Sequence, residues 1–136
     1  MIYKWEKNLE TGNVIIDAQH KQLINAVNSL LDACTQGKGR LEVETTLAFL
    51  GDYTISHFAD EEDLQIKANY PEYPAHKKYH DDFKVTFTEF AQKLKKEGPT
   101  DELVGEVYVS IGDWLTHHIK YEDAKMAAYV QRAGAA

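Results

Sequence analysis

Histidine and carboxylate side chains recur at helical intervals along the otherwise apolar stripes of this sequence. His57 and Glu61 stand four residues apart, and His76 and His80 repeat the interval, so each pair leaves one face of a helix. His20 and His118 sit singly among apolar residues of two further segments. Imidazole and carboxylate together suit first-row transition metals, and two metal ions ~3.5–4 Å apart can be clamped by shared carboxylates. A single histidine on an apolar stripe is ordinarily a core residue satisfied by a backbone carbonyl. Several converging on one place are different. Burying each costs several kcal/mol unless it is paired or bound to a metal, and a purely structural network would need a complete hydrogen-bond circuit across every helix involved.

Turn signals at residues 36–40, 69–74 and 97–100 divide the chain into four segments with helical periodicity. The first helix is expected from Asp17, whose carboxylate would cap it, to Thr35. The second is expected over residues 41–68, the third over 74–96, and the fourth after Thr100, a second candidate cap. Their inner stripes read His20, Leu23, Val27, Leu30 or Leu31 and Cys34; then Leu47, Leu50, Thr54, His57, Glu61 and Leu64. The third reads His76, His80, Phe83, Phe87, Phe90 and Leu94; the fourth Val104, Val107, Ile111, Trp114 or Leu115, and His118. Steps of three and four with short connections predict an all-α, up-down-up-down antiparallel four-helix bundle. Residues 1–16 form an irregular arm held down by Trp5 and Ile15–Ile16, and residues 17–136 the bundle, in one domain spanning 1–136.

Depth along the helices matters too. The chemical residues lie early in the odd helices and late in the even ones, which in an antiparallel bundle is the same end. At ~1.5 Å per residue they meet near one level. In the acidic run Asp60-Glu61-Glu62-Asp63 only Glu61 falls on the stripe, so the other three carboxylates are expected on a solvated face.

Composition removes several function classes. With 15 Lys and Arg against 22 Asp and Glu, the net charge of −7 offers no footprint for nucleic acid or an anionic membrane. The one cysteine, Cys34, makes no internal disulfide. There is no apolar signal core, and no apolar run approaches the ~20 residues of a membrane helix. A cytoplasmic protein is expected.

The runs Ile16-Asp17-Ala18-Gln19-His20, His57-Phe58-Ala59-Asp60-Glu61, His76-Lys77-Lys78-Tyr79-His80 and Trp114-Leu115-Thr116-His117-His118, with Asp123, resemble the hemerythrin family, specifically its single-domain bacteriohemerythrins. The resemblance covers essentially the whole chain, including Trp5 and Gly12 of the arm. It implies reversible O2 binding, for storage, delivery or sequestration, at a non-haem di-iron centre rather than catalysis. Residue by residue, His76, His80 and His118 would hold one iron, and His20 and His57 the other. Glu61 and Asp123 would bridge them beside an oxo or hydroxo group, with O2 entering next to His20 and His57. Leu23, Phe58, Trp114, Leu115 and Ile119 match the family's apolar oxygen pocket, where they would exclude water and protons. The chain is expected to be a monomer whose ligand is O2, served by an oxygen-consuming or redox partner protein. The alternatives are a di-iron enzyme acting on peroxide, nitric oxide or iron, and an oxygen sensor.

Two positions strain the resemblance. Gln65 stands where bacterial members commonly have Met. Helix periodicity prefers Glu122 over Asp123, because four residues past His118 is only ~40° off its face and five is ~140° off. The family pattern nevertheless implies that Asp123 bridges and that Glu122 faces solvent or a neighbouring partner. The shorter reach of an aspartate, or a π-like widening of the turn, would meet that demand.

Overall fold

The computed structural model describes residues 3–135; Met1 and Ile2 of the expected arm and Ala136 of the expected bundle lie outside the described residues. The helices are α1 (Val14–Thr35), α2 (Gly39–Lys67), α3 (Tyr73–Glu97), α4 (Asp101–His117) and α5 (Ala124–Ala135). A π-helical turn over His118–Asp123 joins α4 to α5, so these two form one interrupted rod. No strand occurs among the described residues. Consecutive helices pack side by side, and α4 returns against α1 to close a four-helix bundle.

α1 starts three residues before the expected Asp17. Asn13 is the cap, its side chain accepting from the Ile16 N–H at 3.0 Å. Asp17 instead binds the arm: it accepts from the Thr11 N–H at 2.8 Å, the Thr11 hydroxyl at 2.7 Å and the Gly12 N–H at 3.2 Å. The earlier start also turns Ile15 outward, 67% exposed, leaving Ile16 to enter the core. α2 begins at Gly39 rather than Leu41, because a glycine there lets the backbone pass over Cys34; an added Cβ would meet the Cys34 Sγ at 2.6 Å. Cys34 itself is exposed, off the inner stripe. Thr100 caps α4 through the Leu103 N–H at 3.1 Å, as its sequence position predicts.

The core runs through Leu23, Val27, Leu30, Val43, Leu47, Leu50, Phe58, Phe83 and the α4 stripe. Beyond Phe83 the third stripe is only half covered: Phe87, Phe90 and Leu94 flank the core rather than enter it. At the other end of α2 the inner residue is Gln65, fully buried, while Leu64 is half-buried. A step of four from Glu61 reaches Gln65, so the stripe simply keeps its period.

The arm lies on the bundle at defined points. The Tyr3 N–H donates to Asn28 Oδ1 at 2.9 Å, Asn28 Nδ2 returns to the Tyr3 carbonyl at 2.7 Å, and the Tyr3 hydroxyl donates to Asp113 at 2.8 Å. The Tyr3 ring rests on Gly112, where no Cβ would fit. Leu9 joins Ile24 and Ile119 in a second small cluster, packed by Tyr3 and Trp5.

Candidate metal centre

All four rods of the bundle send titratable side chains to one level of its interior. His20 comes from α1, His57 and Glu61 from α2, His76 and His80 from α3, and His118 and Asp123 from the two ends of the π turn. All seven are at most 4% exposed. They fall into two groups, Glu61 with His76, His80, His118 and Asp123, and His20 with His57, Glu61 and Asp123; donor atoms within each lie within 4.8 Å of one another.

The two carboxylates belong to both groups, and each divides its oxygens between them. Glu61 Oε2 lies 3.0 Å from both His20 Nε2 and His57 Nε2, while its Oε1 lies 3.2 Å from His80 Nε2 and 3.4 Å from His76 Nε2. Asp123 Oδ2 lies 2.9 Å from His20 Nε2, and its Oδ1 3.0 Å from His76 Nε2 and 3.1 Å from His118 Nε2.

Asp123 reaches this position because the backbone widens after His118. In a π turn an extra residue is accommodated per turn, so the side chain five residues on returns toward the His118 direction. Glu122 is left 22% exposed, with Lys125 Nζ at 3.7 Å.

Charge keeps this buried cluster together. Burial alone would drive an imidazole neutral, but the Asp123 and Glu61 carboxylates outweigh it and push His20 up to about 10. The same carboxylates push His76 up to about 9. Burial works against the carboxylate charges as well, yet the surrounding imidazoles hold Glu61 and Asp123 well below the usual carboxylate range.

The donors fit metal ions better than they fit one another. His118 Nε2 stands 3.2 Å from both His76 Nε2 and His80 Nε2. Nitrogens bound to one ion at about 2.1 Å and at right angles would be about 3 Å apart. Among the described residues neither Asp123 oxygen has a hydrogen-bond partner despite its close nitrogens, and Glu61 Oε1 has none either. These atoms surround common points rather than satisfying each other.

Outward from the cluster, His57 Nδ1 lies 2.7 Å from Gln19 Oε1, and Gln19 Nε2 donates to Asp60 Oδ2 at 2.7 Å. His80 Nδ1 lies 2.9 Å from Glu62 Oε2. Asp60 and Glu62 are therefore not idle members of a solvated face; of the three neighbours of Glu61 in the acidic run, only Asp63 pairs solely with a surface lysine, Lys67, at 2.8 Å. Sequence reasoning missed Gln19, Asp60 and Glu62. The available signal was adjacency: residues one step from an inward ligand turn toward the neighbouring helices.

The apolar candidates divide. The Phe58 ring stacks on His80 at 3.8 Å and the Trp114 ring on His118 at 4.4 Å, so both cover the three-histidine side. Leu23 and Leu115 are buried in the main core, Trp114 packs half-buried against it, and Ile119 lies in the second cluster under the arm. His117 is exposed, its ring 4.7 Å from Tyr121. Among the described residues no helix is long and apolar enough to cross a membrane.

The chain resembles known proteins over most of its length. The family model described as the hemerythrin HHE cation binding domain matches residues 11–130. A bacteriohemerythrin of Pseudomonas aeruginosa (strain LESB58) is 39% identical over 121 residues, covering 88% of this chain and 76% of the relative. One from Stenotrophomonas maltophilia (strain R551-3) is 32% identical over 127 residues, 93% of this chain and 80% of the relative. One from Aquifex aeolicus (strain VF5) is 28% identical over 130 residues, 93% and 96% respectively.

Proposed function

The chain belongs to the hemerythrin family, and from that premise we propose that it binds O2 reversibly at two iron ions. His76, His80 and His118 would hold one, His20 and His57 the other, and Glu61 and Asp123 would bridge them together with an oxo or hydroxo group. The observation that carries this reading is the division of each carboxylate, one oxygen toward each histidine group. A single-metal site has no use for that arrangement. When bound, the iron pair supplies the electrons that hold O2 and recovers them on its release.

The protein's own part is positional. The group with only two histidines, His20 and His57, has fewer nitrogen donors and is the side on which an external ligand would find room. Leu23, Phe58, Trp114, Leu115 and Ile119 would keep water and stray protons from the cluster, and so slow irreversible loss of bound oxygen. Five imidazoles against two carboxylates leave the site poor in anionic donors. That favours release of O2 over cleavage of its bond, and storage, delivery or sequestration over catalysis.

Metal analysis combined with an oxygen–argon cycle tests the proposal. Two irons per chain and a coloured form that bleaches under argon and returns under oxygen are expected. Zinc in place of iron, or steady consumption of peroxide or nitric oxide without a reversible oxygenated form, would refute it.

A further inference from the structure

Glu61 points into the bundle, and each residue of a helix is turned by ~100° from the last. Its two neighbours therefore face opposite ways, Asp60 toward α1 and Glu62 toward α3. Each meets the outer nitrogen of a histidine in the cluster, but by different means. Glu62 Oε2 stands directly against His80 Nδ1 at 2.9 Å. Asp60 acts through an intermediary: its Oδ2 accepts from Gln19 Nε2 at 2.7 Å, and Gln19 Oε1 lies 2.7 Å from His57 Nδ1.

Donor and acceptor roles in both chains follow from chemistry. A carboxylate only accepts, so Asp60 makes the Gln19 NH2 face outward and its oxygen face His57. Both acceptors require the proton of their histidine on Nδ1, which leaves the Nε2 of His57 and of His80 free to face the cluster. His20 Nδ1 is buried and has no hydrogen-bond partner among the described residues. The two histidine groups thus differ in their backing. One contains an imidazole donating to a full negative charge; the other contains one donating to a neutral amide and one donating to nothing. A charged acceptor makes the stronger hydrogen bond and the more basic imidazole.

We propose that the two carboxylates flanking Glu61 make the two metal positions electronically unequal. Glu62 strengthens His80 as a donor and favours the higher oxidation state at the three-histidine position. Asp60 locks Gln19 so that His57 is oriented without being strengthened, which leaves the two-histidine position electron-poor beside the side open to ligand. Both are positioning residues, and the inference rests on the two-iron reading above.

The test is a redox titration of the iron-loaded protein and of three variants, with iron counted in each. Glu62→Gln replaces the charged acceptor by an amide and should raise the reduction potential. Gln19→Glu, made together with Asp60→Asn so that two carboxylates do not meet at 2.7 Å, places a charge against His57 Nδ1 and should lower it. Asp63→Asn removes a carboxylate from the same helix that touches no histidine, and should move the potential by less than either. Glu62→Gln should also release iron to a competing chelator about tenfold more readily, the lower end of what such neighbours are worth. Opposite shifts for Glu62→Gln and Gln19→Glu, both exceeding Asp63→Asn, are the expected result. Shifts of one sign, or shifts no larger than the control, overturn the inference. If Glu62→Gln fails to hold two irons, the sign and size for Gln19→Glu against Asp63→Asn decide alone. A wild-type chain that does not bind two irons would instead sink the two-iron reading itself.

Discussion

Asp123 and Glu122 differ by one helical step, and the π turn assigns them opposite fates. Asp123 is fully buried with His20, His76 and His118 nitrogens 2.9–3.1 Å from its oxygens. In Asp123→Asn one oxygen becomes an NH2 that cannot ligate a metal, and the charge opposing three imidazoles disappears. Breaking a buried ion pair by removing one partner costs about 3–5 kcal/mol. Loss of one metal that had been held at a hundred times its dissociation constant costs about 2.7 kcal/mol. Even the smaller figure lowers the unfolding temperature of a chain this size by roughly 10 °C. Glu122 has only a 3.7 Å approach to Lys125 near the surface, and such pairs contribute about 0–1 kcal/mol. Glu122→Gln should therefore keep two irons and shift the midpoint by at most about 4 °C. Iron per chain and thermal unfolding, measured on both variants, decide the matter. If Glu122→Gln loses more iron than Asp123→Asn, ideal helix periodicity is the better guide and the role given to the π turn is wrong.

Leu115→Ala should retain both irons but shorten the lifetime of the oxygenated form, because a space opened in the core around the site admits water. The same change costs about 2–5 kcal/mol of packing, and an unchanged rate of oxidation in a folded, iron-loaded variant would make Leu115 core filling alone. Gln65 is fully buried with neither amide atom hydrogen-bonded among the described residues, so Gln65→Met should stabilise the fold by about 1–3 kcal/mol at unchanged iron content; a lower denaturant midpoint would show that the amide has a partner, such as a buried water. In chelator-treated protein His20 and His76 titrate near 10 and 9, above their unfolded value of 6.5. Their contribution is complete below pH ~6.5 and is lost as pH rises through about 9–10. Denaturant midpoints of that form should fall between pH 7 and pH 10 and those of the iron-loaded form should not, because metal ions displace those protons; equal slopes would refute the charge balance described here.

Much of the architecture was legible because apolar periodicity and punctuation agree. Thr100 caps where a threonine before an acidic first turn should, and the turns at 36–40 and 97–100 separate helices as their glycines suggest. Errors arose where a side chain had two possible uses. Asp17 has the chemistry of a cap but serves as the acceptor for three arm donors, and Asn13 caps instead. Leu64 is the more apolar choice for the α2 stripe, yet the strict period buries Gln65. Residue type was followed where geometry ruled.

Six residues of the cluster were legible for a different reason: buried charge is expensive, so titratable groups on apolar stripes announce that something compensates them, whereas Asp123 came only from the family resemblance, since periodicity pointed to Glu122. What surrounds them was hidden because Asp60, Glu62 and Gln19 are ordinary surface residue types at ordinary surface positions. Their roles depend on direction, not on burial. A helix that turns Glu61 inward must turn Asp60 and Glu62 sideways, and in a closed bundle sideways means toward a neighbouring helix. Whether a flanking carboxylate meets solvent or a histidine then depends on the neighbour's register. His80 of α3 lies within reach of Glu62, whereas on the α1 side the reach is completed by Gln19. One short run, Asp60-Glu61-Glu62, thus supplies one of the two carboxylates shared by both histidine groups and an anchor on either side, from nothing more than the 100° step of an α-helix.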